Sequence, residues 1–99
     1  MDLQLQSKVV AITGGSKGIG FQTALQFVEE GASVAICARG EKQLQVAKDS
    51  IFQQTGNENA IFPCDVSNED DCKDFIEGVI KLFGRIDILV NNAGTAAAC

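Results

Sequence analysis

The residues of this chain that invite chemistry begin with the run Thr13-Gly14-Gly15-Ser16-Lys17-Gly18-Ile19-Gly20. Before it lies a β-branched apolar stretch, Lys8–Ile12, that reads as a strand buried on both faces. After it Ile19, Thr23, Ala24, Phe27 and Val28 recur at helical spacing as far as Glu30, and Gly31 terminates the helix. A helix entered from a strand through glycine carries unpaired N–H groups and a positive partial charge on its first turn. Such a turn receives an anion, and glycine lets the main chain approach a pyrophosphate with no Cβ in the way. The spacing is G-x-x-x-G-x-G. It differs from the general G-x-G-x-x-G fingerprint, and no G-K-[ST] closes it as a Walker loop.

Other chemistries are absent by composition. There is no Trp, Tyr or His, so the chain offers no imidazole base or metal ligand and no phenolic acid. The four cysteines, Cys37, Cys64, Cys72 and Cys99, form no C-x-x-C pair. Without histidine beside them they point away from zinc and toward buried, reduced thiols, and no metal site is expected. A net charge of -5 disfavours nucleic acid and anionic membrane surfaces as partners. No apolar run approaches the roughly 20 residues that span a bilayer, and MDLQLQSK has no signal-peptide pattern, so a cytoplasmic location is expected. At 45% hydrophobic the chain has the apolar content for a packed core.

The elements that must position the glycine turn follow from periodicity. Ser33–Cys37 is a second strand, and Leu44, Ala47 and Ile51 mark a helix from about Glu41 to Gln54, broken by Gly56-Asn57. Ala60–Cys64 is a third strand, in which Pro63 favours a sheet edge or a strand end. Ser67 and Asp70 read as a capping pair. Behind them Cys72, Phe75, Ile76, Val79, Ile80 and Phe83 line one helix face, closed by Gly84. Ile86–Val90 is a fourth strand that runs into Asn91-Asn92-Ala93-Gly94. The order βαβαβαβ requires parallel pairing through right-handed crossovers. The expected fold class is α/β, a partial Rossmann-type doubly wound sheet of strand order 3-2-1-4, with the ligand crevice where the order reverses.

Three motifs in this order carry a resemblance: T-G-x-x-x-G-I-G at Thr13–Gly20, Asp65-Val66 after the third strand, and N-N-A-G at Asn91–Gly94. Together they resemble the classical branch of the short-chain dehydrogenase/reductase family, over essentially the whole chain. The extended branch typically carries T-G-x-x-G-x-x-G, which is not matched. The resemblance implies that Gly14, Ser16, Lys17, Gly18, Ile19 and Gly20 form the cofactor loop. It implies that Asp65, with Val66 beside it, hydrogen-bonds the adenine amino group, and that Asn92, Ala93 and Gly94 lie near the cofactor riboses. Asn91 would brace the central sheet.

The residues after the second strand bear on which nicotinamide cofactor is bound. NAD-specific sites place a carboxylate there for the adenosine ribose. The family's acidic position falls on Ala38, followed by Arg39, and Lys17 projects toward the same region in family members. Two cations and no carboxylate favour NADP(H) over NAD(H), because a guanidinium grips a phosphate through paired hydrogen bonds.

The family's catalytic Ser and its Y-x-x-x-K pair lie beyond N-N-A-G, and this chain has no Tyr. Residues 1–99 are therefore expected to be the N-terminal NADP(H)-binding part of a single Rossmann domain, truncated after the NNAG motif, with no catalytic residue of its own. The expected parent is an oxidoreductase, commonly a homo-oligomer, that moves hydride between the nicotinamide and a small carbonyl or alcohol. Relatives of 3-oxoacyl-carrier-protein reductase are the commonest type. The alternative is a non-catalytic NADP(H)-binding or protein-interaction module. A methyltransferase of similar layout would need an acidic residue where Ala38-Arg39 stands.

Overall fold

The computed structural model describes residues 6–14, 16 and 18–92. Seven elements alternate along them: β1 (Val9–Thr13), α1 (Gly18–Glu29), β2 (Ser33–Ala38), α2 (Glu41–Thr55), β3 (Ala60–Pro63), α3 (Glu69–Phe83) and β4 (Ile88–Asn91). All pairings are parallel, and the sheet order is β3-β2-β1-β4, as the crossover rule demands. Val10 sits opposite both Val34 and Ile88, which fixes β1 as the centre of the register.

Strand alternation explains why helices cover both faces. Val10 and Ile12 of β1, with Val34 and Ile36 of β2, point to one side. There they meet Ala24, Leu25 and Val28 of α1 and Leu44, Ala47 and Ile51 of α2. Val9, Ala11, Ala35 and Cys37 point to the other side, against Phe75 and Val79 of α3. This is why β1 and β2 are apolar at nearly every position and not at every second one. Pro63 closes β3 on the outer edge, where its missing N–H interrupts no ladder. Phe62 meets Phe75 edge-on at 5.5 Å, and a Cβ on Gly78 would come within 2.8 Å of the Phe62 ring, so α3 lies close over the β3 edge.

Three local expectations are corrected. The cap of α3 is Asn68, whose side-chain oxygen accepts the Asp71 N–H at 3.0 Å. Ser67 is turned away from the helix and donates both its N–H and its hydroxyl to Asp65. The fourth strand begins at Ile88, two residues later than its hydropathy suggests. Asp87 ahead of it takes the Val9 N–H on its carboxylate at 2.8 Å and the Arg85 guanidinium at 2.9 Å. Those two donors, Val9 first, hold the Asp87 carboxyl below the usual carboxylate range. Finally, Cys37 and Cys64 are buried free thiols as expected, whereas Cys72 is disulfide-bonded.

The cap correction is directly measurable. Asn68→Ala should destabilise the chain by about 1 kcal/mol, the usual cost of losing a side-chain N-cap. The midpoint of urea unfolding reads it. A midpoint equal to that of the unsubstituted chain would mean that Asn68 does not cap α3.

Candidate functional site

Each helix follows a strand, so the N-termini of α1, α2 and α3 and all four strand exits lie along one edge of the sheet. A row of hydrogen bonds ties these exits together. Asn92 N–H donates to Thr13 O at 3.2 Å, Gly14 N–H to Cys37 O at 2.8 Å, and Cys64 N–H to Ala38 O at 2.9 Å. The loops after β4, β1, β2 and β3 are thereby joined in that spatial order. Ligands of open parallel sheets bind at this edge, where strand order reverses between β1 and β4.

The first loop turns on glycine for a conformational reason. Gly14 has φ 72° and Gly18 has φ 62°, both in the left-handed region. A Cβ at Gly18 would have no atom of the described residues within 4 Å, and its φ of 62° by itself calls for glycine there. Gly20, two residues on, is buried. The first turn of α1 carries no acidic side chain, in contrast to Glu41 in α2 and Glu69, Asp70 and Asp71 in α3. Its positive end is therefore not neutralised by a carboxylate of its own first turn, which suits an anionic ligand. Ile19 beside it is 79% exposed. The helical stripe assigned to it from the sequence therefore carries it past the sheet edge and off the core.

Thr13 ties two of these exits together, a role that its place in the Thr13–Gly20 motif does not by itself reveal. It is fully buried, and its hydroxyl lies 3.0 Å from Asn91 Oδ1 while accepting the Asn92 N–H at 3.2 Å. It therefore locks the exit of β4 to the start of the glycine loop. The signal in the sequence was a β-branched hydroxyl ending an otherwise apolar strand.

The structure brings Gly14, Ser16, Gly18, Ile19, Gly20, Arg39, Asp65, Val66 and Asn92 to this edge, each within its own strand exit or helix start. Lys17, Ala93 and Gly94 lie outside the described residues. Arg39 is exposed after Ala38, and among the described residues no ion pair holds it. Asp65 accepts the Ser67 hydroxyl at 2.6 Å and the Ser67 N–H at 3.0 Å on Oδ1. Those bonds, the hydroxyl first, with the Arg39 charge adding, keep its carboxyl below the ordinary range. It is an anionic acceptor at neutral pH. Cys37 beneath the loops is the opposite case. Burial first, and then the Cys64 thiol, push it up to about 12, so it is a packing group and not a nucleophile.

At the opposite end of the strands lies a groove of about 460 Å³ between Val28, Ala32, Asn59 and Phe83. None of the candidate cofactor-site residues lines it. Asn59 is buried there, and its Oδ1 has no partner among the described residues. The described residues contain no cluster of three or more side chains suited to a metal ion, and no described helix is long and apolar enough to cross a membrane.

Comparison with known proteins agrees with this geometry. Residues 8–99 match the family model described as short chain dehydrogenase. The 11-beta-hydroxysteroid dehydrogenase-like 2 protein of Arabidopsis thaliana is 44% identical over 87 residues, which are 88% of this chain and 28% of that protein. The L-sorbose reductase of Gluconobacter frateurii, solved with NADPH and L-sorbose, superimposes with a TM-score of 0.89 at 39% identity. The match covers 96% of this chain and 36% of that one. An NAD+-bound xylitol dehydrogenase superimposes with a TM-score of 0.86 at 35% identity, over 93% of this chain and 35% of that one. The chain thus spans about a third of the length of such relatives. A glycine turn opening a helix with no acidic residue in its first turn, a four-stranded 3-2-1-4 sheet and a family match over residues 8–99 together make this chain a member of the short-chain dehydrogenase family.

Proposed function

We propose that residues 1–99 are the NADP(H)-binding part of a Rossmann domain in an oxidoreductase that moves hydride between the nicotinamide and a small carbonyl or alcohol. One observation carries the reading: Arg39 stands free of ion pairs among the described residues at the exit of β2, beside the glycine turn, with Ala38 where a ribose-binding carboxylate would repel a phosphate. The nicotinamide cofactor would supply the hydride. The chain's own residues would bind and orient it. Gly14, Ser16, Lys17, Gly18, Ile19 and Gly20 would cradle the pyrophosphate at the start of α1, Lys17 and Arg39 would hold the 2'-phosphate, and Asp65 and Val66 would receive the adenine. Asn92, Ala93 and Gly94 would flank the riboses. Substrate and the proton-transferring groups would belong to sequence of the kind that relatives carry beyond N-N-A-G.

The test is a map of amide chemical shifts in the chain during NADPH titration. The reading expects perturbations at Gly14, Gly18, Arg39, Asp65 and Asn92, with Asn57 to Ala60 at the far groove unaffected. Shifts confined to the groove would overturn it.

A further inference from the structure

We infer that Ser67 and Asp71 are positioning residues that aim Asp65 at the 6-amino group of a purine, so that this edge of the site tells a 6-amino from a 6-oxo purine. The inference rests on the reading of Asp65 as an adenine-binding residue.

The polar atoms of Asp65 are almost all engaged. Its N–H donates to Asp71 Oδ2 at 2.9 Å, and its carbonyl accepts the Asn68 N–H at 2.9 Å. Its Oδ1 accepts both the N–H and the hydroxyl of Ser67. One carboxylate oxygen, Oδ2, has no hydrogen bond from the described residues and is left for a ligand.

The behaviour of Asp71 is the telling feature. It stands three residues after the cap Asn68, where a capping box would send its carboxylate back to the Asn68 N–H. Instead it reaches three residues further, to the Asp65 N–H, while the Asn68 N–H turns to Asp65 O. The start of α3 therefore holds the β3 exit and not only itself. Asp71 fixes the backbone of Asp65, and Ser67 fixes the rotation of its side chain. A carboxylate accepts and cannot donate. Held in one orientation, the remaining oxygen rewards a ligand amino group and leaves a ligand carbonyl facing a like dipole. Held loosely, it would turn toward solvent and discriminate little.

The experiment titrates the chain with NADP+ and with nicotinamide hypoxanthine dinucleotide phosphate, which differ only in amino against oxo at purine C6. The unsubstituted chain should bind the amino form about tenfold more tightly, the scale of one hydrogen bond to a charged group. Ser67→Ala and Asp71→Ala should each bring the ratio of the two dissociation constants to within about twofold of unity, through weaker binding of the amino form alone. Ser67→Thr and Asp71→Asn keep an acceptor or donor in place and should preserve the ratio, which guards against variants that merely fold poorly. Ratios unchanged in both alanine variants overturn the positioning role while leaving Asp65 in the adenine site. A ratio of one in the unsubstituted chain overturns the reading of Asp65 and the inference with it.

Discussion

Supplied with NADPH and a carbonyl substrate, the 99-residue chain should show no turnover above background. Hydride delivery to a carbonyl leaves an oxyanion that must gain a proton, and a positioned acid typically contributes about 10²–10⁴-fold to such a step. The chain contains no Tyr and no His to supply it. Its buried thiols are no substitute, since the Cys37 thiol is held up to about 12 by burial and its neighbour Cys64. The hydroxyl of Thr13 is engaged with Asn91 and Asn92. Cofactor binding alone orients one reactant and moves no proton. The sheet edge adds a second expectation. Among the described residues β4 pairs with β1 alone, and its Leu89 is 45% exposed. An apolar strand with an open edge is a template for pairing, and Asp87 just before it is the nearest charge to discourage it. The chain alone should therefore self-associate in size-exclusion chromatography at micromolar concentration, and Leu89→Lys should shift it toward monomer. Measured NADPH oxidation that depends on a carbonyl would overturn the first claim, and a sharp monomer peak for the unsubstituted chain the second.

Most of the architecture was legible because its determinants are local. Alternating apolar runs and helical stripes fix seven elements, and the handedness of parallel crossovers then leaves one arrangement of four strands. The same handedness puts α1 and α2 on one face and α3, after the reversal of strand order, on the other. What escaped the sequence are contacts between residues far apart or choices between neighbours of equal propensity. Thr13 and Asn91 are 78 residues apart, and no periodicity links them. Ser67 and Asn68 both suit an N-cap, and the choice is made by Asp65, which draws the Ser67 hydroxyl away. Ile80 belongs to the apolar stripe of α3 but is 45% exposed, whereas Phe75 and Val79 of the same stripe are buried against β1 and β2. In the candidate site, the motif positions on described residues all fall on the expected edge. The bonds that hold them there are visible only in three dimensions.

Cofactor choice is where individual residues matter more than family membership, since solved relatives of this chain carry NADPH in one case and NAD+ in another. The unsubstituted chain should bind NADPH more tightly than NADH by about ten- to a hundredfold, the worth of roughly 1.5–3 kcal/mol for a charge-assisted bond to a phosphate. Arg39 is exposed at the end of β2, with no ion pair to break among the described residues, so its guanidinium is available without an internal loss. The nearby Asp65 already feels the Arg39 charge but is itself turned to Ser67. Changing Ala38→Asp and Arg39→Leu together replaces a phosphate donor with an acceptor for the ribose hydroxyls. It also adds a charge that repels the 2'-phosphate, so the preference should reverse toward NADH by about tenfold or more. Ionic strength separates this from a packing effect. The NADPH advantage of the unsubstituted chain should shrink as salt rises, because Arg39 is exposed and salt weakens both its pairing with a phosphate and the longer-range attraction of the anion to the site. The NADH affinity of the double variant depends less on phosphate attraction and should change less. Paired titrations of both cofactors at two salt concentrations measure all four quantities. Equal affinities for NADPH and NADH in the unsubstituted chain would refute the assignment of Arg39. A double variant that keeps the original preference would move the phosphate contact to Lys17 alone.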